Sequence, residues 1–142
     1  MMALEQQSPA AAHWTEPQYE RWFAPATAPQ LSEHFAWIAE AEGEATPIAG
    51  FLVAHKIDTE WELENIVVSQ ASRRRGVGTL LVRELIEHAR SAQGSRIFLE
   101  VRESNHGARA LYCKAGFEEA GLRKGYYANP VENAILCRLS LY

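Results

Sequence analysis

Residues 65–78 constrain this chain more than any other stretch. There the apolar run Asn65-Ile66-Val67-Val68 leads through Arg73-Arg74-Arg75-Gly76-Val77-Gly78 into an amphipathic helix pattern. Within residues 77–92, Val77, Leu81, Leu85 and Ala89 recur every four residues with Val82 and Ile86 beside them, which marks one buried helix stripe. Strand, glycine turn and helix in that order read as an anion cradle. Glycines lack Cβ and let backbone N–H groups approach a ligand. The first helical turn adds unpaired N–H groups and the positive end of its dipole. Three arginines supply the countercharge.

Spacing separates the phosphate-binding motifs that such a turn could represent. A P-loop needs Lys and Ser/Thr directly after its last glycine, whereas Gly78 is followed by Thr79-Leu80. A dinucleotide fingerprint needs a third glycine where Leu81 stands, although Glu100 lies at a suitable distance downstream. What fits is Arg-x-x-Gly-x-Gly, formed by Arg73, Gly76 and Gly78. Taken alone, the run also reads as a solvated basic turn before a helix.

The remaining elements follow from local signals. Thr15 as N-cap, Pro17 in the first turn and Gln18 at the capping-box position predict a short helix through Tyr19, Trp22 and Phe23, then a loop over residues 24–30. Residues 35–39 and 48–57 read as a hairpin around Glu42-Gly43-Glu44, and Trp61-Glu62-Leu63-Glu64 alternates into Ile66-Val67-Val68 as a longer strand. Gly94 closes the long helix. Residues 96–102 form a strand with Ile97, Leu99 and Val101 on one face and Phe98, Glu100 and Arg102 on the other. Ser104 or Asn105 caps a second helix that stops at Gly116, and residues 117–127 and 133–141 finish as two strands around Asn129-Pro130. The order predicts a single α/β domain over residues 1–142, with antiparallel pairs outside a parallel strand–helix–strand unit.

A length of 142 residues with 47% apolar side chains suits one domain with a real core. The net charge of −4 argues against a nucleic-acid surface, yet arginine is concentrated at residues 73–75, with Arg83 and Arg109 as candidate neighbours. That combination points to an anionic small molecule at one site. Cys113 and Cys137 have neither CxxC nor metal-ligand spacing, so free thiols and no metal are expected, and His55, His88 and His106 read as surface residues. No stretch is apolar enough for a membrane span, and no basic segment with an apolar run opens the chain, so the expectation is a cytoplasmic protein.

From Glu64 onward, five blocks in order resemble the GNAT family of N-acetyltransferases. They are Asn65-Ile66-Val67-Val68, Arg73-x-x-Gly76-x-Gly78, Leu99-Glu100-Val101-Arg102-x-Ser104-Asn105, Ala110-Leu111-Tyr112-x-x-x-Gly116-Phe117 and Tyr126-Tyr127. The nearest likeness within the family is to RimI-type enzymes, which acetylate the N-terminal alanine of ribosomal proteins. The resemblance implies the GNAT fold, a mixed and mostly antiparallel sheet flanked by helices. It implies acetyl-CoA as donor, with the backbone of Ile66, Val67 and Val68 along the pantetheine arm. Arg73, Arg74, Arg75, Gly76, Val77, Gly78 and Thr79 would stand around the pyrophosphate, and Asn105 would contact the cofactor while serving as a helix N-cap. The acceptor it implies is a protein N-terminal α-amine, on a ribosomal protein for instance. A small amine, a lysine side chain or non-catalytic CoA binding are the alternatives.

Acyl transfer from a thioester to an amine needs a base for the ammonium and an acid for the departing thiolate. The resemblance assigns these roles to Glu100 and Tyr112. Glu100 interrupts an apolar strand, where desolvation would raise its pKa, and a phenol near pKa 10 stands about one to two units from a thiol. Tyr126 and Tyr127 would shape the acceptor side, and Cys113 lacks a histidine partner for an acyl-enzyme route. Family members usually begin with a further strand, whereas this chain opens on Met1-Met2-Ala3-Leu4-Glu5-Gln6 without strand signal. A sheet lacking its first strand is therefore expected, with residues 35–39 as an apolar edge open to self-association.

Overall fold

The computed structural model describes residues 16–17, 32–43 and 48–142. Strand β1 (Ser32–Glu40) pairs antiparallel with β2 (Ile48–Ile57), which pairs antiparallel with β3 (Glu60–Val68). A short 3-10 turn (Gln70–Ser72) leads to helix α1 (Val77–Ser91) and strand β4 (Arg96–Arg102). Helix α2 (His106–Lys114), β5 (Glu118–Tyr127) and β6 (Glu132–Ser140) complete a six-stranded sheet of order β1-β2-β3-β4-β6-β5. The expected hairpin, parallel crossover and closing strands are all present. Of the helix expected after Thr15, Glu16 and Pro17 are helical, and the rest lies outside the described residues, as do the predicted loop at 24–30 and the opening segment.

Both helices cover the same face of the sheet. Leu81, Val82, Leu85, Ile86 and Ala89 of α1 are buried against Leu52, Trp61, Leu63, Ile97 and Leu99, as the four-residue repeat requires. At about 2 kcal/mol for each large apolar side chain, this packing outweighs the roughly 1 kcal/mol that Gly78 costs within the first turn. The first turn of α1 is thus held by packing and can serve a ligand. The strand β1 is less apolar at its surface than the sequence suggested. Phe35 and Trp37 pack inward on the His88 ring at 4.9 and 5.5 Å, leaving Ile38 as the large apolar side chain exposed on β1.

Two features open the sheet in its middle. The β2–β3 register steps from Ala54↔Leu63 to Val53↔Asn65, so Glu64 is an extra residue on β3 and bends it. The parallel β3–β4 ladder runs from Glu60↔Arg96 to Leu63↔Leu99 and ends there. Beyond that point residues 65–68 keep their pairing to β2 and residues 100–102 keep theirs to β6, so the strands fork.

Leu99 sits at the apex of this fork and is 1% exposed. Leu99→Ala should cost about 2–5 kcal/mol, whereas Leu122→Ala on the exposed surface of β5 should stay within about 0.5 kcal/mol. Urea denaturation measures both, and equal midpoints for the two variants would contradict this account of the core.

Candidate active site

The fork opens a cleft of about 940 Å³ lined by residues of β3, β4, α1 and α2. Its first wall is the exposed backbone edge of β3. The Ser69 amide donates to Ala49 O at 2.7 Å, which places the peptide groups of Ser69 and, by strand alternation, of Val67 and Asn65 toward β2. Those of Ile66 and Val68 point the other way, into the fork. Arg73 confirms this direction, because its Nε donates to Val68 O at 3.3 Å and ties the turn to the strand end.

The turn itself has the strand–glycine–helix geometry read from the sequence, for different reasons at its two glycines. Gly76 is the N-cap of α1 with φ of 83°, a left-handed conformation suited to glycine. Gly78 has ordinary helical geometry, but an added Cβ would lie 3.2 Å from Leu111 Cδ2, so its value is the close approach of α1 to α2. Arg73, Arg74, Gly76, Val77, Gly78 and Thr79 line the cleft. Arg75 and Arg83 are exposed outside this lining, and Arg109 is drawn away by Glu119, with Nη2 2.7 Å from Oε1. Lys114 also lines the cleft, a cation the sequence reading did not single out. It lies two residues after Tyr112, so the helix turn brings both to one end of α2.

The second wall carries the candidate catalytic residues. Asn105 caps α2, its Oδ1 accepting from the Ala108 N–H at 3.2 Å, and it lines the cleft as well. The turn before it is fixed by Glu132, whose Oε1 accepts from the Ser104 N–H at 2.5 Å while its Oε2 lies 3.4 Å from Arg102 Nη1. Those bonds hold the Glu132 carboxyl below its ordinary pKa. Tyr112 is 4% exposed and lines the cleft. Burial pushes its phenol well above the ordinary value, with Cys137 and Tyr127 adding to the shift. The one-to-two-unit mismatch expected for an ordinary tyrosine is therefore a lower bound, and Tyr112 remains a neutral donor throughout the usable pH range.

Glu100 lines the cleft on β4 with its side chain 19% exposed, and its Oε1 lies 3.2 Å from Arg123 Nε. Sequence reasoning named Glu100 but not Arg123. Around it lies a row of ionisable groups on the sheet face opposite the helices. Tyr126 hydrogen-bonds the Glu100 carboxylate, which raises the phenol's pKa. Burial chiefly raises Tyr127, and the Arg102 guanidinium stands 4.2 Å from that ring's centre. Burial also raises the Glu62 carboxyl, His55 opposing it while Glu64 and Glu100 add to it.

His55 corrects the expectation of a surface histidine. Its side chain is 16% exposed, with Nε2 3.6 Å from Glu62 Oε2 and Nδ1 3.1 Å from Glu64 Oε1. The Glu64 side chain raises the imidazole's pKa against the opposing effect of burial. Among the described residues no group of His, Cys, Asp and Glu could hold a metal ion, and no helix is long and apolar enough to cross a membrane.

Comparison with known proteins places these elements. The model of the acetyltransferase (GNAT) family matches residues 2–117. The chain belongs to the GNAT family. It is 46% identical over 68 residues to the N-alpha-acetyltransferase RimI of Mycobacterium tuberculosis, covering 48% of this GNAT chain and 41% of that protein. It is 38% identical over 96 residues to the [ribosomal protein bS18]-alanine N-acetyltransferase of Salmonella typhimurium, covering 66% and 65% respectively. The crystal structure of the ribosomal-protein-S18-alanine N-acetyltransferase from Escherichia coli superposes with a TM-score of 0.82 at 28% identity, covering 99% of this GNAT chain and 84% of that one. The matches thus span less than two thirds of the curated relatives' own length.

The His55 pair makes a pH-dependent contribution to this GNAT fold. A histidine whose pKa is raised by folding stabilises the native state fully below its unfolded value of 6.5, and that stabilisation is lost as pH rises through the higher folded value. His55→Gln should therefore lower the urea midpoint more at pH about 5.5 than at pH about 8.5. An equal loss at both values would show that the ion pair contributes nothing.

Proposed function

We propose that this GNAT chain transfers the acetyl group of acetyl-CoA to a primary amine, specifically the N-terminal α-amine of a protein. A ribosomal protein is the first acceptor class to test, by analogy with the relatives. The observation that carries the reading is that Glu100, Tyr112 and the glycine turn all line one cleft.

The cleft offers what an extended anionic donor needs. Ile66 and Val68 present strand-like backbone groups along one wall, suited to a pantetheine amide arm. The first-turn N–H groups of α1, with Arg73 and Arg74, suit a pyrophosphate, and Asn105 and Lys114 stand on the facing helix. When bound, acetyl-CoA supplies an activated acyl group and a thiolate leaving group. Glu100 takes the proton that the acceptor ammonium must lose before nitrogen can form the new C–N bond. Tyr112 donates a hydrogen bond, and then its proton, to the sulfur as the C–S bond breaks. Proton return to Tyr112 from solvent completes the cycle. Cys113 is exposed and stands outside the residues that line the cleft, which favours this direct transfer over an acyl-enzyme.

The acceptor's own acidity supports an α-amine. An α-amine near pKa 8 is about 2.4 units easier to deprotonate than a lysine near 10.4, roughly 3 kcal/mol. A single carboxylate base is matched to that smaller task.

Mass spectrometry of acetyl transfer to a panel of N-terminal peptides, lysine peptides and small amines tests the acceptor class, with N-terminal peptides expected to react fastest. Glu100→Gln should lower turnover about 100-fold at neutral pH and regain much of it toward pH 9, where the amine deprotonates unaided. Tyr112→Phe should lower turnover without comparable recovery. Matching pH profiles for wild type and Glu100→Gln would remove the base assignment.

A further inference from the structure

The contact between Arg123 and Glu100 is not accounted for by the fold. These residues lie on β5 and β4, which are separated by β6. In the register, Arg123 is opposite Ala134 and Gly121 is opposite Leu136, while on the far side of β6 Arg102 faces Ala134 and Glu100 faces Leu136. The arginine therefore reaches diagonally across a strand to the carboxylate. Ala134, small, stands opposite Arg123, and Leu136 leans toward Gly121, where an added Cβ would lie 3.3 Å from Leu136 Cδ1. The Arg123 guanidinium comes to rest 3.2 Å from Glu100 Oε1 and 5.4 Å from the centre of the Tyr126 ring, whose hydroxyl hydrogen-bonds the same carboxylate.

The local backbone supports that reach. The β5–β6 register shifts between Arg123 and Tyr127, and the bulge is fixed by the Gly125 N–H donating to Asn133 Oδ1 at 3.0 Å. The Asn133 Nδ2 in turn donates to Glu103 Oε2 at 2.9 Å, which ties the bulge to the turn ahead of α2. Arg123 and Tyr126 thus stand on a built segment on the same side of Glu100, and neither lines the cleft that Glu100 lines.

An ion pair with its arginine 54% exposed contributes little to folding. Its geometry instead restricts one carboxylate. A glutamate has free χ angles, and Glu100 projects from a strand whose other neighbour has forked away. Without an outer partner it could swing off the cleft wall.

We propose that Arg123 is a positioning residue for the transfer, holding the Glu100 carboxylate from outside the cleft so that it faces the acceptor amine. Tyr126 completes the grip. This rests on the assignment of Glu100 as base, and Arg123 itself touches neither donor nor acceptor.

Steady-state kinetics on the full chain test it, using acetyl-CoA and an N-terminal peptide that the wild type acetylates. Arg123→Ala should lower kcat about ten- to a hundredfold, leaving the KM for acetyl-CoA and the melting temperature unchanged. Arg123→Lys should recover part of the loss, and millimolar guanidinium should partly restore Arg123→Ala. In a Glu100→Gln background, Arg123→Ala should have no further effect and guanidinium should rescue nothing. Unchanged kcat in Arg123→Ala, or a loss of the same size with Glu100 already removed, would overturn the proposal. A fall in kcat accompanied by a lowered melting temperature and no rescue by lysine or guanidinium would also overturn it, as a purely structural effect. If the wild type acetylates no amine, the proposed function fails and this inference fails with it. If the wild type is active and Arg123 is indifferent, this inference fails alone.

Discussion

The functional end of this molecule depends on one interruption in its hydrogen bonding, the end of the β3–β4 ladder at Leu63 and Leu99. A buried peptide group left unpaired costs about 1–3 kcal/mol, so a fork persists only where water or a ligand can reach the freed groups. The extra residue Glu64 makes the fork, because a bulge bends β3 away from its parallel neighbour. The packing of α1 and α2 on one sheet face holds it open. With five buried positions, α1 needs no help from its N-terminus, and its first turn stands beside the freed edge of β3. A cleft with a strand edge on one wall and a helix start at its mouth follows from those two facts.

The two sheet faces divide the work. The helix side is apolar from Leu52 and Trp61 through Leu99 to Leu139. The other side carries His55, Glu62, Glu64, Glu100, Arg123 and Tyr126, each tied to another member of the group. Glu64 belongs to both descriptions, being the bulged residue and a partner of His55. Fork and charged row are therefore mechanically linked, and Glu100 lies where they meet.

Much of this was legible in the sequence because the signals are local. The four-residue stripe of α1, the period-two strand at Arg96–Arg102, the Asn105 cap and the left-handed Gly76 each follow from neighbours within one or two turns. What could not be read depends on pairing between distant segments. His55 meets Glu62 and Glu64 only through the β2–β3 register, and Arg123 meets Glu100 only across β6. Gly78 was read as a backbone that lets a ligand approach, whereas the close neighbour that the structure gives it is Leu111 on another helix. One overlooked sign of the fork was present. Trp61 and Leu63 are spaced by two, while Leu63 and Ile66, also on the helix side, are spaced by three, and that break in period marks a bulge.

The central claim is that the freed edge of β3 and the first turn of α1 together receive the donor. Backbone amide hydrogen exchange with and without acetyl-CoA tests it at single-residue resolution. The account predicts that the amides of Ile66 and Val68, and those of Val77, Gly78 and Thr79, gain protection on binding, while Val67, already directed to β2, changes little. Binding that protects a different segment and leaves Ile66 and Val68 exchanging as before would contradict it.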